Sequence, residues 1–81
     1  MSTLAITHDP AVMDVRFDED SLFFDLADGR TISAPLAWFP RLENATAEQR
    51  GKWERIGRGY GIHWPDIDED ISALGLLGLP D

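Results

Sequence analysis

Two neighbouring stretches of this chain alternate between apolar and polar residues, and their alternation admits one pairing. Met13, Val15 and Phe17 alternate with Val12, Asp14 and Arg16; Leu22, Phe24 and Leu26 alternate with Phe23, Asp25 and Ala27. Period two is the signature of a half-buried strand. Asp18-Glu19-Asp20-Ser21 lies between them. A loop there pairs Phe17 with Leu22, Val15 with Phe24 and Met13 with Leu26, so all six apolar side chains share a face. A slip of one residue would turn that whole set toward water, so the register specifies itself. The next turn, Ala27-Asp28-Gly29, extends the pattern. A two-residue Asp-Gly loop would set Leu26 opposite Thr31 and spoil it. A three-residue loop with Gly29 in the left-handed region sets Phe24 opposite Ile32 and Leu22 opposite Ala34. The expectation is a three-stranded antiparallel meander, roughly 11–17, 22–26 and 30–34.

The remainder reads as a cover for that sheet. Pro35 and Pro40 bracket the apolar crossover Leu36-Ala37-Trp38-Phe39. Thr46 and Gln49 stand at capping-box spacing, which predicts a helix over about 46–57. Gln49, Trp53, Ile56 and Tyr60 would share one face of it. Gly51 weakens such a helix by about 1 kcal/mol relative to Ala. Gly57, Gly59 and Gly61 would end it. Ile62-His63-Trp64 suggests a fourth strand, and Asp68 the cap of a short last helix carrying Ile71 and Leu74. The fold class is therefore α+β: a three- to four-stranded antiparallel β-meander packed against one main helix, plus a short C-terminal helix. Trp38, Phe39, Trp53 and Trp64 would close the core. Residues 1–10 read as a flexible lead-in ending at Pro10, and 11–81 as one domain.

Charge narrows the partners. Fifteen acids against seven bases give a net charge of -8. Direct nucleic-acid binding needs Lys and Arg against phosphate, so this balance disfavours it. It equally disfavours an anionic membrane surface and favours a basic protein partner. The five bases of residues 41–60 sit between two acidic ends. The absence of Cys removes disulfides and thiolate chemistry and suits the cytoplasm. No apolar run approaches membrane-spanning length, and MSTLAITHDP does not read as a secretory signal.

No motif here carries catalysis or a cofactor. Asp66, Asp68 and Asp70 match the first half of a calcium loop, but Ile71 stands where Gly should and Leu77 where Glu should. Asp68, Glu69 and Asp70 suit the first turn of a helix better. Gly57-Arg58-Gly59-Tyr60-Gly61 follows the expected helix instead of opening one, and lacks the Lys-Ser/Thr of a phosphate loop. His8 and His63 have no partner at metal-ligand spacing. No metal site and no cofactor are expected.

One surface remains unexplained. The meander's outer face sets Asp14 opposite Asp25, and like charges so placed destabilise a sheet. The tip Asp18-Glu19-Asp20 is close by. Same-face strand residues are about 6.6 Å apart, near two phosphate steps of about 3.4 Å each. Such a face could imitate a nucleic-acid backbone, with Phe23 as an apolar anchor.

The segments LAWFPRL, ATAEQRGKW and GIHWPDIDEDIS resemble a bacterial family of unknown function, DUF2442. The likeness covers roughly residues 11–79 and implies a β-meander-plus-helix fold without an assigned enzyme activity. Some relatives resemble the first domain of DNA-binding proteins with a separate helix-turn-helix part, which lies outside these 81 residues. The genes of relatives tend to adjoin one for another small domain, which implies an antitoxin-like role.

Two readings follow. The first is a non-catalytic inhibitor, anti-CRISPR-like or antitoxin-like, that occupies the nucleic-acid site of a nuclease, toxin or CRISPR-effector subunit. Its contacts would be Asp14, Asp18, Glu19, Asp20 and Asp25, then Asp66 and Asp70. The second is a structural or regulatory interaction domain, possibly a homodimer linked to transcriptional regulation, that uses Phe23 and a sheet edge. Neither is an enzyme.

Overall fold

The structure is a computed structural model describing residues 8–78. Its elements run β1 (Val12–Phe17), β2 (Ser21–Leu26), β3 (Thr31–Pro35), a 3-10 turn (Leu36–Trp38), α1 (Pro40–Glu43), α2 (Ala47–Gly51), β4 (Glu54–Ile56), β5 (Gly61–Trp64), β6 (Glu69–Ser72) and α3 (Ala73–Leu76). They form two three-stranded antiparallel sheets, β1-β2-β3 and β4-β5-β6. Most of the segment 1–10 lies outside the described residues. Of its last three, Asp9 donates its amide to the Asp28 carboxylate at 2.8 Å.

The first sheet follows the alternation. Phe17 faces Leu22, Val15 faces Phe24, Phe24 faces Ile32 and Leu22 faces Ala34. Gly29 closes the second turn at φ +93°, where a side chain would be strained. The predicted pairing of Met13 with Leu26 does not occur. A bulge between Val12 and Asp14 sets Val12 opposite Leu26 instead. Val12 is fully buried and Met13 is 54 % exposed. The cause is tertiary: the Val12 amide donates to the Gly59 carbonyl at 2.6 Å, and the Ala11 carbonyl accepts from Ala27 at 2.9 Å. The first bond ties the start of β1 to the β4-β5 turn of the second sheet, and the second holds Ala11 to the end of β2.

The single main helix is corrected to short pieces. The capping box is present: Thr46 accepts from the Gln49 amide at 3.1 Å, and Gln49 accepts from the Thr46 amide at 2.9 Å. Yet α2 stops at Gly51. Glu54–Ile56 then pairs with β5, Glu54 facing His63 and Ile56 facing Gly61. Gly51 makes continuation costly, and strand pairing offers the backbone of 54–56 another set of partners. The Gly-Arg-Gly-Tyr segment is consequently a hairpin turn, with Gly57 at φ +60° and Gly59 at φ +91°. A Cβ on Gly59 would meet the Val12 backbone at 3.1 Å, so the two sheets touch at this glycine.

The last helix is also shifted. Asp68 is no cap; it adopts φ +53° in the turn between β5 and β6, and its carbonyl accepts from Arg41. Glu69–Ser72 is a strand, and Ser72 caps α3 by accepting from the Gly75 amide at 3.2 Å.

Trp64 joins the two sheets. It is fully buried, stacks on Phe24 at 6.5 Å between centroids, and meets the edge of Phe17 at 6.4 Å. Its indole nitrogen donates to the Arg50 carbonyl at 3.1 Å, satisfying a free carbonyl near the end of α2. Phe39 and Trp53 are partly buried against the same core, whereas Trp38, expected inside, is exposed.

Candidate functional site

Two surfaces compete: the acidic outer face of the first sheet and an apolar groove near the second. On the first, Asp14 does lie opposite Asp25. The repulsion is relieved diagonally. Arg16 donates to both Asp25 carboxylate oxygens, at 2.7 and 2.8 Å, and Thr31 adds a third bond at 2.8 Å. The Arg16 and Thr31 bonds lower the Asp25 pKa to about 2. The Arg16 guanidinium also lies 5.2 Å from the centre of the half-buried Phe23 ring. Asp25 is thus compensated, and Phe23 shares its face with a cation.

Asp18 is occupied as well. Its carboxylate accepts from the Asp20 and Ser21 amides at 2.9 and 2.7 Å, closing the β1-β2 turn. Asp14 accepts from the Val15 amide at 2.9 Å. Glu19 and Asp20 are exposed at the tip, with no salt bridge among the described residues. Asp66 and Asp70 belong to the other sheet. Asp66 lies 3.7 Å from Lys52, which also pairs with Glu48 at 3.2 Å. Asp70 accepts from His63 Nδ1 across β5-β6. That bond raises the His63 pKa, with smaller contributions from Glu54 and Asp68. The structure therefore gathers Asp14, Phe23 and Asp25 with the 18–20 tip on one hairpin, and leaves Asp66 and Asp70 apart from them.

The groove was not foreseen. It has a volume of about 850 Å³ and draws on three regions. The 3-10 turn and the residue after it bring Trp38 and Phe39, the β4-β5 hairpin brings Ile56 and Tyr60, and β6 with α3 brings Ile71 and Leu74. Trp38 is 67 % exposed, Tyr60 48 % and Ile56 46 %. An exposed apolar residue alone is ordinary, but here several share one concavity. The signal is in the sequence: Ile56 and Tyr60 are apolar residues beyond Gly51, where α2 stops, so no helix face takes them up. Among the described residues no cluster of three or more His, Asp or Glu side chains is arranged to hold a metal. No helix among them is long and apolar enough to cross a membrane.

The comparisons with known proteins agree with this architecture. Residues 12–79 match the sequence model of DUF2442, described as a protein of unknown function, and the chain belongs to that family. A crystal structure of a protein of unknown function from Rhodospirillum rubrum is similar, with 33% sequence identity and TM-score 0.69. The match covers 85% of this chain and 87% of that one. A solution structure of an uncharacterized protein from Chromobacterium violaceum is similar at 27% identity and TM-score 0.70. There the match covers 84% of this chain and 64% of the other. No curated protein matches.

Proposed function

We infer that this domain is a non-catalytic protein-interaction module whose binding surface is the groove between the 3-10 turn, the β4-β5 hairpin and α3. The observation that carries this reading is Trp38, a large aromatic side chain held 67 % exposed at an apolar concavity. Aromatic residues of this kind dominate binding energy when a partner covers them. The regular elements beneath it hold the surface in a defined shape, which lowers the ordering cost of binding. The test is affinity capture from the native host with wild-type protein and Trp38→Ala, eluted in salt steps. A partner that resists moderate salt and is lost with Trp38→Ala is the expected result. A partner released by salt and indifferent to Trp38→Ala contradicts it.

A second reading keeps the acidic inhibitor that mimics nucleic acid against a basic nuclease, toxin or CRISPR-effector subunit. Exposed Glu19 and Asp20, on the same hairpin as Asp14, favour it. Compensation of Asp25 by Arg16 and use of Asp18 inside the turn weigh against a continuous row of free carboxylates. Contact through many screened charges weakens steeply with salt. Asp14→Asn, Glu19→Gln and Asp20→Asn together would abolish capture under this reading and leave it unchanged under the first.

A further inference from the structure

The chemistry of the groove narrows what fills it. Among its described lining residues one carries a formal charge, Asp70, and the rest are mostly apolar. Asp70 stands on β6 next to Glu69 and just after the turn that holds Asp66 and Asp68. The cations nearby are directed elsewhere. Lys52 serves Glu48 and Asp66. Arg41 donates to the Asp68 carbonyl and leaves that carboxylate without a salt bridge among the described residues. Arg55 points to the Met13 sulfur at 3.8 Å, and Arg58 sits in the β4-β5 turn outside the lining. His63 donates to Asp70 but is neutral once deprotonated, so the pair then keeps a negative charge.

Resting on the groove as the binding surface, we propose that its occupant is a basic amphipathic segment of a partner protein. Apolar side chains of the segment enter beside Trp38, Tyr60 and Leu74, and a Lys or Arg on its polar side reaches the Asp70 carboxylate. An apolar groove whose one charged lining residue is a carboxylate suits an amphipathic segment with a cation on its polar side. A second copy of this chain is disfavoured, because it brings another net charge of -8 to the contact. An acidic segment meets the same repulsion.

The test is an NMR titration of the full chain with three synthetic peptides. They share one Leu/Trp face and carry Lys, Gln or Glu on the other. The Lys peptide should shift the amides of Ile56, Tyr60, Ile71 and Leu74 saturably. It should bind about two- to fivefold more tightly than the Gln peptide, the range of one partly exposed ion pair. Asp70→Asn should remove that preference and leave the Gln peptide's affinity unchanged. Trp38→Ala should weaken all binding by about thirtyfold, as loss of a central aromatic anchor does, and its exposed position keeps the fold intact. Equal affinity of all three peptides for these residues overturns the charge assignment while the interaction module stands. Groove shifts that depend on protein concentration without peptide identify a second copy as occupant and overturn the proposal. Groove shifts on deletion of residues 1–7 identify the chain itself, with the same consequence. Shifts confined to Asp18–Asp20, or none with any peptide, overturn both the proposal and the reading beneath it.

Discussion

The outer face of the first sheet and the groove beside the second treat their exposed groups in opposite ways. On the sheet, charges that look free in sequence have local work. Arg16 neutralises Asp25, and Asp18 closes a turn. Asp28 binds the Asp9 amide and the Arg30 side chain, which holds its carboxyl well below the ordinary carboxylate range. In the groove, apolar side chains that look destined for the core remain at the surface. Trp38 follows buried Leu36 by two residues, and the tight 3-10 turn carries one inward and the other outward. Under the proposed reading, exposed apolar area is therefore a better guide to the binding surface than surface charge.

The largest test of that contrast compares two tryptophans. Trp64→Ala should cost about 3–5 kcal/mol, the usual loss for a fully buried aromatic, and unfolding by denaturant measures it. In a domain this small that approaches the whole stability. Trp38→Ala should change stability by less than about 0.5 kcal/mol. Comparable losses at both sites would place Trp38 in the core and remove the contrast.

Gly59→Ala should come next. Its φ of +91° and the 3.1 Å approach to the Val12 backbone make any side chain strained. A loss of about 1–3 kcal/mol is expected, with weakened exchange protection at the Val12 amide. Gly57→Ala is the control, since its Cβ meets nothing within 4 Å and only its φ of +60° is unfavourable. It should cost less. Thr46→Ala should then remove about 1 kcal/mol, the value of a helix cap, if α2 forms as a capped turn.

The smallest effects are in pH. The His63 pKa is raised by its bond to Asp70, so its stabilising contribution is complete below the unfolded value of 6.5. It is lost as pH rises through the folded value. Denaturation midpoints across neutral pH should fall slightly with rising pH, and His63→Gln should flatten that slope. Asp25 acts in the other direction. Its contribution is present above the ordinary 3.8 and is lost as pH falls toward about 2. Arg16→Gln should shrink this acid loss.

The sequence and structure agree where local and long-range preferences coincide. In the meander, alternation, loop length and Gly29 all demand the same register, and Phe24 accordingly faces both Val15 and Ile32. The exception is Val12, whose bulge depends on Gly59, a residue distant in sequence. In the second half the signals conflict. Thr46 and Gln49 start a helix, but the decision at Gly51 rests with a strand partner not yet reached along the chain. Helical spacing of Trp53, Ile56 and Tyr60 was then indistinguishable from a loop and a short strand. The hairpin wall of the groove, Ile56 and Tyr60, lies in that same segment, so the groove is not legible from helical spacing. The seven acids and one aromatic expected from the sequence fall on two hairpins: Asp66 and Asp70 lie on β5-β6, and Asp14 and Asp25 on β1-β2.

The most direct measurement is methyl NMR of the labelled domain bound to the partner recovered by affinity capture, with cross-saturation from that partner. Strong saturation at Ile56, Ile71 and Leu74, with Val15 and Leu22 silent, is the predicted result. Saturation absent from those methyls, together with amide perturbation concentrated at Glu19 and Asp20, would contradict the account and move the binding surface to the acidic tip.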